Sequence, residues 1–230
     1  MREFVEGSLF FGAALTLGGY ALGLVLKRRW KLAVLNPILI AVLCVIGVLG
    51  VLGIPYQAYH ASAKYVSYLL TPATICLAVP LYEQLSLLKK HWRAVMAGLT
   101  AGVAASLVCV WGLCTLFGLS HELYVTLLPK SITSAIGMGL SQELGGIVPL
   151  TVAAIIVTGI FGSIIAEWVF KLCRIHEPIA RGLALGSSAH ALGTTKAMEL
   201  GEVEGAMSSL SIVVTGLLTV LCASVFANLG

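Results

Sequence analysis

Three short polar clusters interrupt long apolar stretches of this 230-residue sequence, and each carries groups that can bind a small solute. One cluster surrounds Lys130, a second contains His190 and ends at Lys196, and a third begins at Thr71. Lysines, hydroxyls and exposed helix N-termini favour a small organic anion, such as a carboxylate, over a cation or a sugar. The candidate binding residues are Thr71, Lys130, Ser131, Thr133, Ser188, His190, Gly193, Thr194 and Lys196.

The charge balance of these clusters supports an anion. The acidic residues all lie toward the ends of the apolar segments and aspartate is absent, so a site built from the clusters is net positive. In such a site Lys130 and Lys196 attract the carboxylate, hydroxyls donate hydrogen bonds to it, and His190 senses or carries protons. The structural alternatives are that the lysines extend to the membrane interface and that the histidine hydrogen-bonds a neighbouring helix.

Catalysis and metal binding are not supported by the sequence. Neither an H-E-x-x-H motif nor a G-x-S-x-G motif is present. Ser188 and His190 are two residues apart, so on one helix they point to different faces. The six cysteines form no C-x-x-C pair and lie in or beside apolar segments. We therefore expect neither an enzyme nor a bound cofactor or metal.

Composition places the protein in a membrane. Apolar residues make up 59% of the chain, charged residues 10%, and the mean hydropathy is +1.00. A soluble domain carries about 25% charged residues because water must wet its surface. The net charge of +4 comes from short basic clusters between apolar stretches, so it does not indicate nucleic acid. Lipid is the expected solvent, and soluble, disordered and disulfide-rich secreted classes are excluded.

The apolar pattern predicts an all-α polytopic membrane protein with about six full spans plus two broken or re-entrant segments, all in one membrane domain of residues 1–230. A crossing needs about 20 apolar residues. Uncharged runs of that length are Gly7–Leu26, Leu32–Ile54, Ala94–Gly118, Leu144–Ala166 and Gly205–Gly230. Irregular stretches, interrupted by proline, glycine or lysine, are Tyr65–Tyr82, Leu123–Gln142 and Gly182–Thr195.

Basic clusters orient the chain, because cytoplasmic loops of membrane proteins are enriched in lysine and arginine. The clusters Lys27–Lys31, Lys89–Arg93 and Lys171–Arg181 are expected in the cytoplasm. The first run carries its basic residues after the apolar part, so we expect a permanent span rather than a cleaved signal peptide. If the last two clusters are both cytoplasmic, the chain crosses the membrane an even number of times between them. The long apolar runs supply two crossings, so Leu123–Gln142 is expected to enter and leave on one side as a re-entrant segment. The same reasoning makes Gly182–Glu199 a re-entrant segment from the cytoplasm. Alternatively both segments cross fully and the rule is violated once.

The order of the segments suggests two similar halves, residues 7–118 and 123–230. In each half the third element is the interrupted one, and paired interruptions are typical of a binding site near the membrane midplane. Alternatively, proline and glycine are simply common in membrane helices. Glycines four residues apart predict close helix packing: Gly19 and Gly23, Gly98 and Gly102, Gly182 and Gly186.

The chain resembles the LrgB/CidB family of bacterial membrane proteins from about Asn36 to its C-terminus. The resemblance rests on four stretches: Asn36-Pro37, Leu70–Pro72 with Pro80–Gln84, Leu128–Thr133, and Ser188–Thr194. Two positions depart from the family pattern, which usually has proline at Ala135 and arginine at Lys196. A lysine keeps the positive charge but cannot bind a carboxylate in the bidentate manner of arginine.

The resemblance implies one of two functions in the bacterial cytoplasmic membrane. Some relatives are described as antiholin-like modulators of murein hydrolase export and autolysis, usually with a small LrgA/CidA-type membrane protein as partner. Others look like monocarboxylate carriers, including bacterial pyruvate uptake systems and the plastid glycolate/glycerate translocator. We expect a multi-pass carrier of small monocarboxylates that works by alternating access, with proton coupling and a homodimer left open. The alternative is a holin/antiholin-like modulator.

Overall fold

This computed structural model describes residues 8–30, 35–69, 72, 75–76, 78–83 and 85–229, and the regular elements in these ranges are helices. The chain divides into two compact units, Met1–Cys76 and Leu77–Gly230. Thr71, one of the candidate binding residues, lies outside the described ranges. The expectation of two similar halves, with a boundary near residue 120, stays a prediction.

The first unit contains helices α1 (Phe11–Trp30), α2 (Pro37–Leu52) and α3 (Tyr56–Ser67). Helix α2 begins where Asn36 accepts a hydrogen bond from the Ile38 N–H at 2.9 Å, and it ends at Gly53 in the left-handed conformation. Glycines on one face of α1 allow close packing: Gly19 and Gly23 lie against α2, and the Gly12 N–H donates to Ser62 of α3.

The second unit contains the remaining helices. They are α4 (Ala78–Glu83), α5 (Leu85–Leu116), α6 (His121–Leu127), α7 (Ser134–Glu143), α8 (Val148–Leu172), α9 (Pro178–Leu200) and α10 (Glu202–Ala227). Among the described residues, three helices are long and apolar enough to cross a membrane: Lys89–Leu116, Val148–Leu172 and Glu202–Ala227.

The observed helices shift the predicted span boundaries. Of the five predicted uncharged spans, three correspond to these long apolar helices, and Leu32–Ile54 corresponds to the shorter apolar helix α2. Helix α8 begins at Val148 rather than Leu144, because Gly145 adopts φ 79° and Pro149 suits the first helical turn. Helix α5 extends before Ala94 across a kink at His91. The number of spans therefore stays a prediction.

The interrupted segment Leu123–Gln142 forms a helical hairpin, here called the first hairpin (α6 and α7). The hydroxyl of Thr151 donates to the Thr126 carbonyl at 2.9 Å, and the Ser141 hydroxyl lies within hydrogen-bonding distance of it at 2.7 Å. In one straight helix residues 126 and 141 would be about 22 Å apart. The chain therefore reverses between them, and Pro129 at the turn packs against Gly137 of the returning arm.

The segment Gly182–Thr195 reverses in the same way, and α9 consists of two helical arms that meet at His190. His190 has φ 43° and ψ −132°, outside the helical region. Ser208 of α10 hydrogen-bonds Thr194, and its carbonyl lies against Gly186, although eight residues of straight helix span about 12 Å. Helix α9 is therefore a second hairpin, with an entering arm before His190 and a returning arm after it.

The two hairpins enter the second unit from opposite ends. The base of the second hairpin packs with the start of α5, where Val95 and Leu99 contact Leu183. This end, the basic end, holds the clusters Lys89–Arg93 and Lys171–Arg181. The base of the first hairpin packs with the end of α5, where Tyr124 contacts Cys114. Each segment begins and ends at one end of the unit, as the re-entrant alternative requires.

The tips of the hairpins lie at nearly the same level along the unit. Ser131 in the first tip hydrogen-bonds Ser106 of α5, whereas Ser187 near the second tip lies beside Gly102 of the same helix. Four helical residues span about 6 Å. The residues predicted to bind a solute are thereby brought toward the middle of the unit by two separate elements.

Close backbone packing between α9 and α10 gives a test of this fold. A Cβ at Gly186 would meet Ser211 at 2.5 Å and the Ser208 carbonyl. We expect Gly186→Val to lower the free energy of unfolding by about 1–3 kcal/mol, or roughly 2–12 °C in Tm, measured by thermal unfolding in detergent. The matched control is Gly112→Val in α5, where an added Cβ meets no atom within 4 Å. Equal effects of the two changes would contradict the packing described.

Candidate functional site

A cavity of about 1150 Å³ lies between α5, α8, the entering arm of α9 and the tip of the first hairpin. Its wall along α8 is apolar and includes Val157, Phe161 and Ile165. Hydroxyl and ammonium groups line the cavity from α5, from α9 and from the tip of the first hairpin, and α8 adds one hydroxyl, that of Thr158. The polar side chains of this kind are those of Ser106, Lys130, Ser131, Thr158, Ser187 and Ser188. The cavity thus combines an apolar surface with a few hydrogen-bonding groups, as is typical of solute sites.

Lys130 is the charged group at the inner part of the cavity. Its Nζ donates to the Ser131 hydroxyl at 3.0 Å, and that hydroxyl lies 3.1 Å from the Ser106 hydroxyl. Among the described lining residues Lys130 is the only lysine or arginine, and the one acid, Glu177, is exposed next to the N-terminus of α9. A half-buried ammonium that forms no ion pair with any carboxylate of the described residues favours an anionic solute.

The local sequence explains why Lys130 lies at a chain reversal. Pro129 has no N–H to continue the backbone hydrogen bonds of α6, which end at Leu128 while that residue still has helical dihedral angles. Turn hydrogen bonds then join the Lys130 N–H to the Leu127 carbonyl at 3.1 Å and the Ile132 N–H to the Pro129 carbonyl at 3.3 Å. Leu128 and Ile132 are almost completely buried and fix the tip between the long helices. The ammonium of Lys130 is left facing the cavity.

His190 does not line the cavity but holds the tip of the second hairpin against α8. Its Nε2 lies 3.0 Å from the Ile155 carbonyl, and because a carbonyl only accepts, Nε2 carries the hydrogen. The imidazole lies directly on Gly159, where an added Cβ would be 2.7 Å from Nε2. The contacts therefore give His190 a structural role at the reversal, and the predicted proton-carrying role stays a prediction.

Three more predicted residues also lie away from the cavity. Thr194 is buried and hydrogen-bonds the His190 carbonyl at 3.1 Å and the Ser208 hydroxyl at 2.8 Å. Gly193 allows the returning arm to approach the Leu185 carbonyl of the entering arm. Thr133 precedes α7 at its N-cap position and makes no capping hydrogen bond with its side chain. Thr194 and Gly193 stabilise the chain reversal at His190.

Lys196 differs from Lys130 in its electrostatic surroundings. Its Nζ lies 2.6 Å from a Glu167 carboxylate oxygen of α8 and 3.2 Å from one of Glu199. Two carboxylates therefore balance its charge, and the side chain does not line the cavity. The structure does not bring the two lysines into one site, so a carboxylate in the cavity would meet the charge of Lys130 alone.

The structure thus separates the candidate binding residues predicted from the sequence into those that line the cavity and those that do not. Lys130, Ser131 and Ser188 share the cavity, whereas His190, Gly193, Thr194, Lys196 and Thr133 do not line it. Ser187, the first residue of the second polar cluster, lines it as well, and sequence reasoning missed Ser106 and Thr158, which also line it. The available signal was a single hydroxyl inside a long apolar span, which is costly in lipid unless it has a partner.

Comparisons with known proteins agree with the motifs. The sequence model of the LrgB-like family matches residues 16–229. The antiholin-like protein LrgB of Bacillus subtilis (strain 168) is 35% identical over 223 residues, covering 96% of each chain. The holin-like protein CidB of Staphylococcus epidermidis (strain ATCC 12228 / FDA PCI 1200) is 36% identical over 219 residues, covering 95% of each chain. Neither name describes an enzyme, which is consistent with the expectation drawn from the sequence motifs. The comparison with solved structures found no match.

The hydrogen bonds of Thr194 allow a test of its structural role. We expect Thr194→Val to reduce the free energy of unfolding by about 1–3 kcal/mol, because the completely buried Ser208 hydroxyl loses its partner. The measurement is thermal unfolding in detergent. Thr195→Val is the control, since the exposed Thr195 hydroxyl bonds only to the Ala191 carbonyl one turn earlier among the described contacts. A larger loss in the control would show that the assignment is wrong.

Proposed function

The chain belongs to the LrgB-like family, and from this premise we propose that it acts as an antiholin-like or holin-like membrane protein. The observation that carries this proposal is the match to curated relatives with these names over about 95% of both chains. The three long apolar helices support a location in a membrane. In this role the protein modulates murein hydrolase export and autolysis in the bacterial cytoplasmic membrane, with a small LrgA/CidA-type membrane protein as partner.

The regulatory role can be tested by complementation. In a Bacillus subtilis strain without its own LrgB protein, we expect expression of this chain to restore the normal rate of autolysis, followed as the loss of optical density after an autolysis trigger. A variant with the buried tip disrupted, Leu128→Glu, should not restore it, because a carboxylate cannot replace a fully buried leucine. Membrane levels of both chains are measured by immunoblot. Failure of the unchanged chain, with the LrgA/CidA-type partner co-expressed, would contradict the proposal.

A second candidate function, carriage of small monocarboxylates such as pyruvate or glycolate, rests on the cavity. One lysine and several hydroxyls line it together with an apolar wall. A single ammonium balances a single carboxylate, whereas a second negative charge would be without a counter-ion in a low-dielectric site. The two hairpins with tips at one level give the interrupted helices that secondary transporters place around a substrate. Autolysis is then a consequence of altered carboxylate flux.

The carrier candidate is tested with the purified protein in liposomes. We expect saturable uptake of labelled pyruvate or glycolate, measured with and without a pH gradient. Lys130→Gln removes the charge that attracts the carboxylate, so the apparent affinity falls roughly tenfold to a hundredfold. Lys171→Gln is the control, because Lys171 is exposed and does not line the cavity. Both variants are first shown to elute as the unchanged chain does in size-exclusion chromatography.

One outcome of this experiment contradicts the position of the site, and two contradict the carrier itself. Loss of uptake in Lys196→Gln but not in Lys130→Gln would place the site at the other lysine. Equal uptake of unrelated solutes, with release of a trapped dye, would indicate a non-selective pore and favour the holin-like role. The absence of any uptake, in liposomes that also contain the LrgA/CidA-type partner, would contradict the carrier and leave the regulatory role as the remaining proposal.

A further inference from the structure

The cavity extends from the basic end of the second unit to Lys130 and ends there. Toward the basic end its lining includes His91, Glu177 and Ile179. In the other direction the lining on α5 stops at Cys109 and the lining on α8 begins at Val157. Lys130 and Ser131 lie at this closed end, on the tip of the first hairpin. A solute at Lys130 therefore has access from the basic end.

The first hairpin fills the space between Lys130 and the opposite end. Tyr124 and Leu128 of its entering arm are buried against Val110 and Cys114 of α5. On the returning arm Leu140 is buried with Ile132 and with Ala223 of α10. Polar contacts add to this packing, because the Thr151 hydroxyl joins both arms to α8. The described residues of the hairpin thus form the barrier between the cavity and the far end.

The hairpin is connected to its neighbours by two glycines in the left-handed conformation. Gly118 follows α5 with φ 61°, and Gly145 precedes α8 with φ 79°. An added Cβ at either glycine would meet no atom within 4 Å, so no neighbouring element packs on that face of either joint. Glycine changes between left-handed and right-handed conformations at little cost. Short joints of this kind absorb the rotation when a rigid element moves.

We propose that the first hairpin is a gate that turns on Gly118 and Gly145 and that carries the solute-binding Lys130 at its tip. The inference rests on the proposed carrier function. In the closed state, which is described here, Lys130 faces the basic end. Movement of the hairpin away from α5 and α8 separates Ser131 from Ser106 and Thr151 from Ser141, and it exposes Lys130 to the opposite end. Since the binding charge is part of the gate, a bound anion acts directly on the element that moves.

A native thiol reports on this movement without any need for transport. Cys109 is exposed in the cavity. The chain to be tested keeps Cys109, has the other five cysteines replaced by alanine, and carries Ser141→Cys and Thr151→Cys. The hydroxyl oxygens at these two positions are 2.7 Å apart, so a disulfide there ties the hairpin to α8. The chain without the two new cysteines is the control, and reduction of the disulfide provides a second one.

The readout is the rate at which a membrane-impermeant maleimide labels Cys109. Inverted vesicles present the basic end, which the positive-inside rule places in the cytoplasm, and spheroplasts present the opposite end. We expect the disulfide to reduce labelling in spheroplasts at least tenfold and to leave labelling in inverted vesicles unchanged. Reduction should restore labelling in spheroplasts. Unchanged labelling in spheroplasts after oxidation, or equal loss in both preparations, would overturn the gate.

Uptake of labelled pyruvate by the same chain distinguishes a failure of the gate proposal from a failure of the carrier function on which it rests. If both hold, oxidation abolishes uptake and reduction restores it. If labelling responds to the disulfide but the reduced chain takes up no pyruvate or glycolate, the hairpin moves and the carrier function is wrong. If the oxidised chain takes up pyruvate as fast as the reduced chain, the carrier function holds and the gate is wrong.

Discussion

The reversal of the chain at two places inside the second unit is the constraint on which its cavity depends. A chain that turns among apolar helices interrupts its own backbone hydrogen bonds, and there is no water in lipid to replace them. At Pro129 short turn hydrogen bonds within the tip provide replacements. At His190 side chains contribute, because the imidazole binds α8 and Thr194 binds both the His190 carbonyl and α10. The cavity exists because both hairpins end near the middle of the unit.

The two lysines of the polar clusters show how the partner helix decides the role of a charge. Both lie close to hydroxyl residues in interrupted segments, and both were expected to attract a carboxylate. Helix α8 presents the Glu167 carboxylate to Lys196, so that lysine joins the second hairpin to α8. Lys130 lines the cavity together with Val157 and Thr158 of the same helix, and its ammonium donates to the Ser131 hydroxyl. Among the described residues, the charge available to a solute is thus that of Lys130, which lines the cavity and forms no ion pair, unlike Lys196.

Much of the architecture could be predicted from patterns along the chain. Hydropathy indicated the long helices, Pro129 and His190 lie within segments predicted to be interrupted, and the four motif stretches indicated the family that the comparisons confirm. Contacts between distant residues could not be predicted in this way. Ser106 and Ser131 are 25 residues apart, and the link from Thr151 to Ser141 depends on how two arms fold back. His190 was expected near a solute because its polarity is visible in the sequence, whereas its carbonyl partner on α8 is not.

The packing of the first hairpin also relates the two candidate functions physically. A non-selective pore requires a continuous wet path, and within the described part of the second unit that path is filled by buried side chains such as Leu128 and Ile132. Opening it fully would expose this apolar surface to water, at roughly 25 cal/mol for each Å². A hinged movement that keeps the hairpin packed on one neighbour exposes less surface. Under the carrier proposal the opening is therefore small and coupled to the solute, whereas a holin-like release of larger contents would require further copies or a partner to cover the exposed faces.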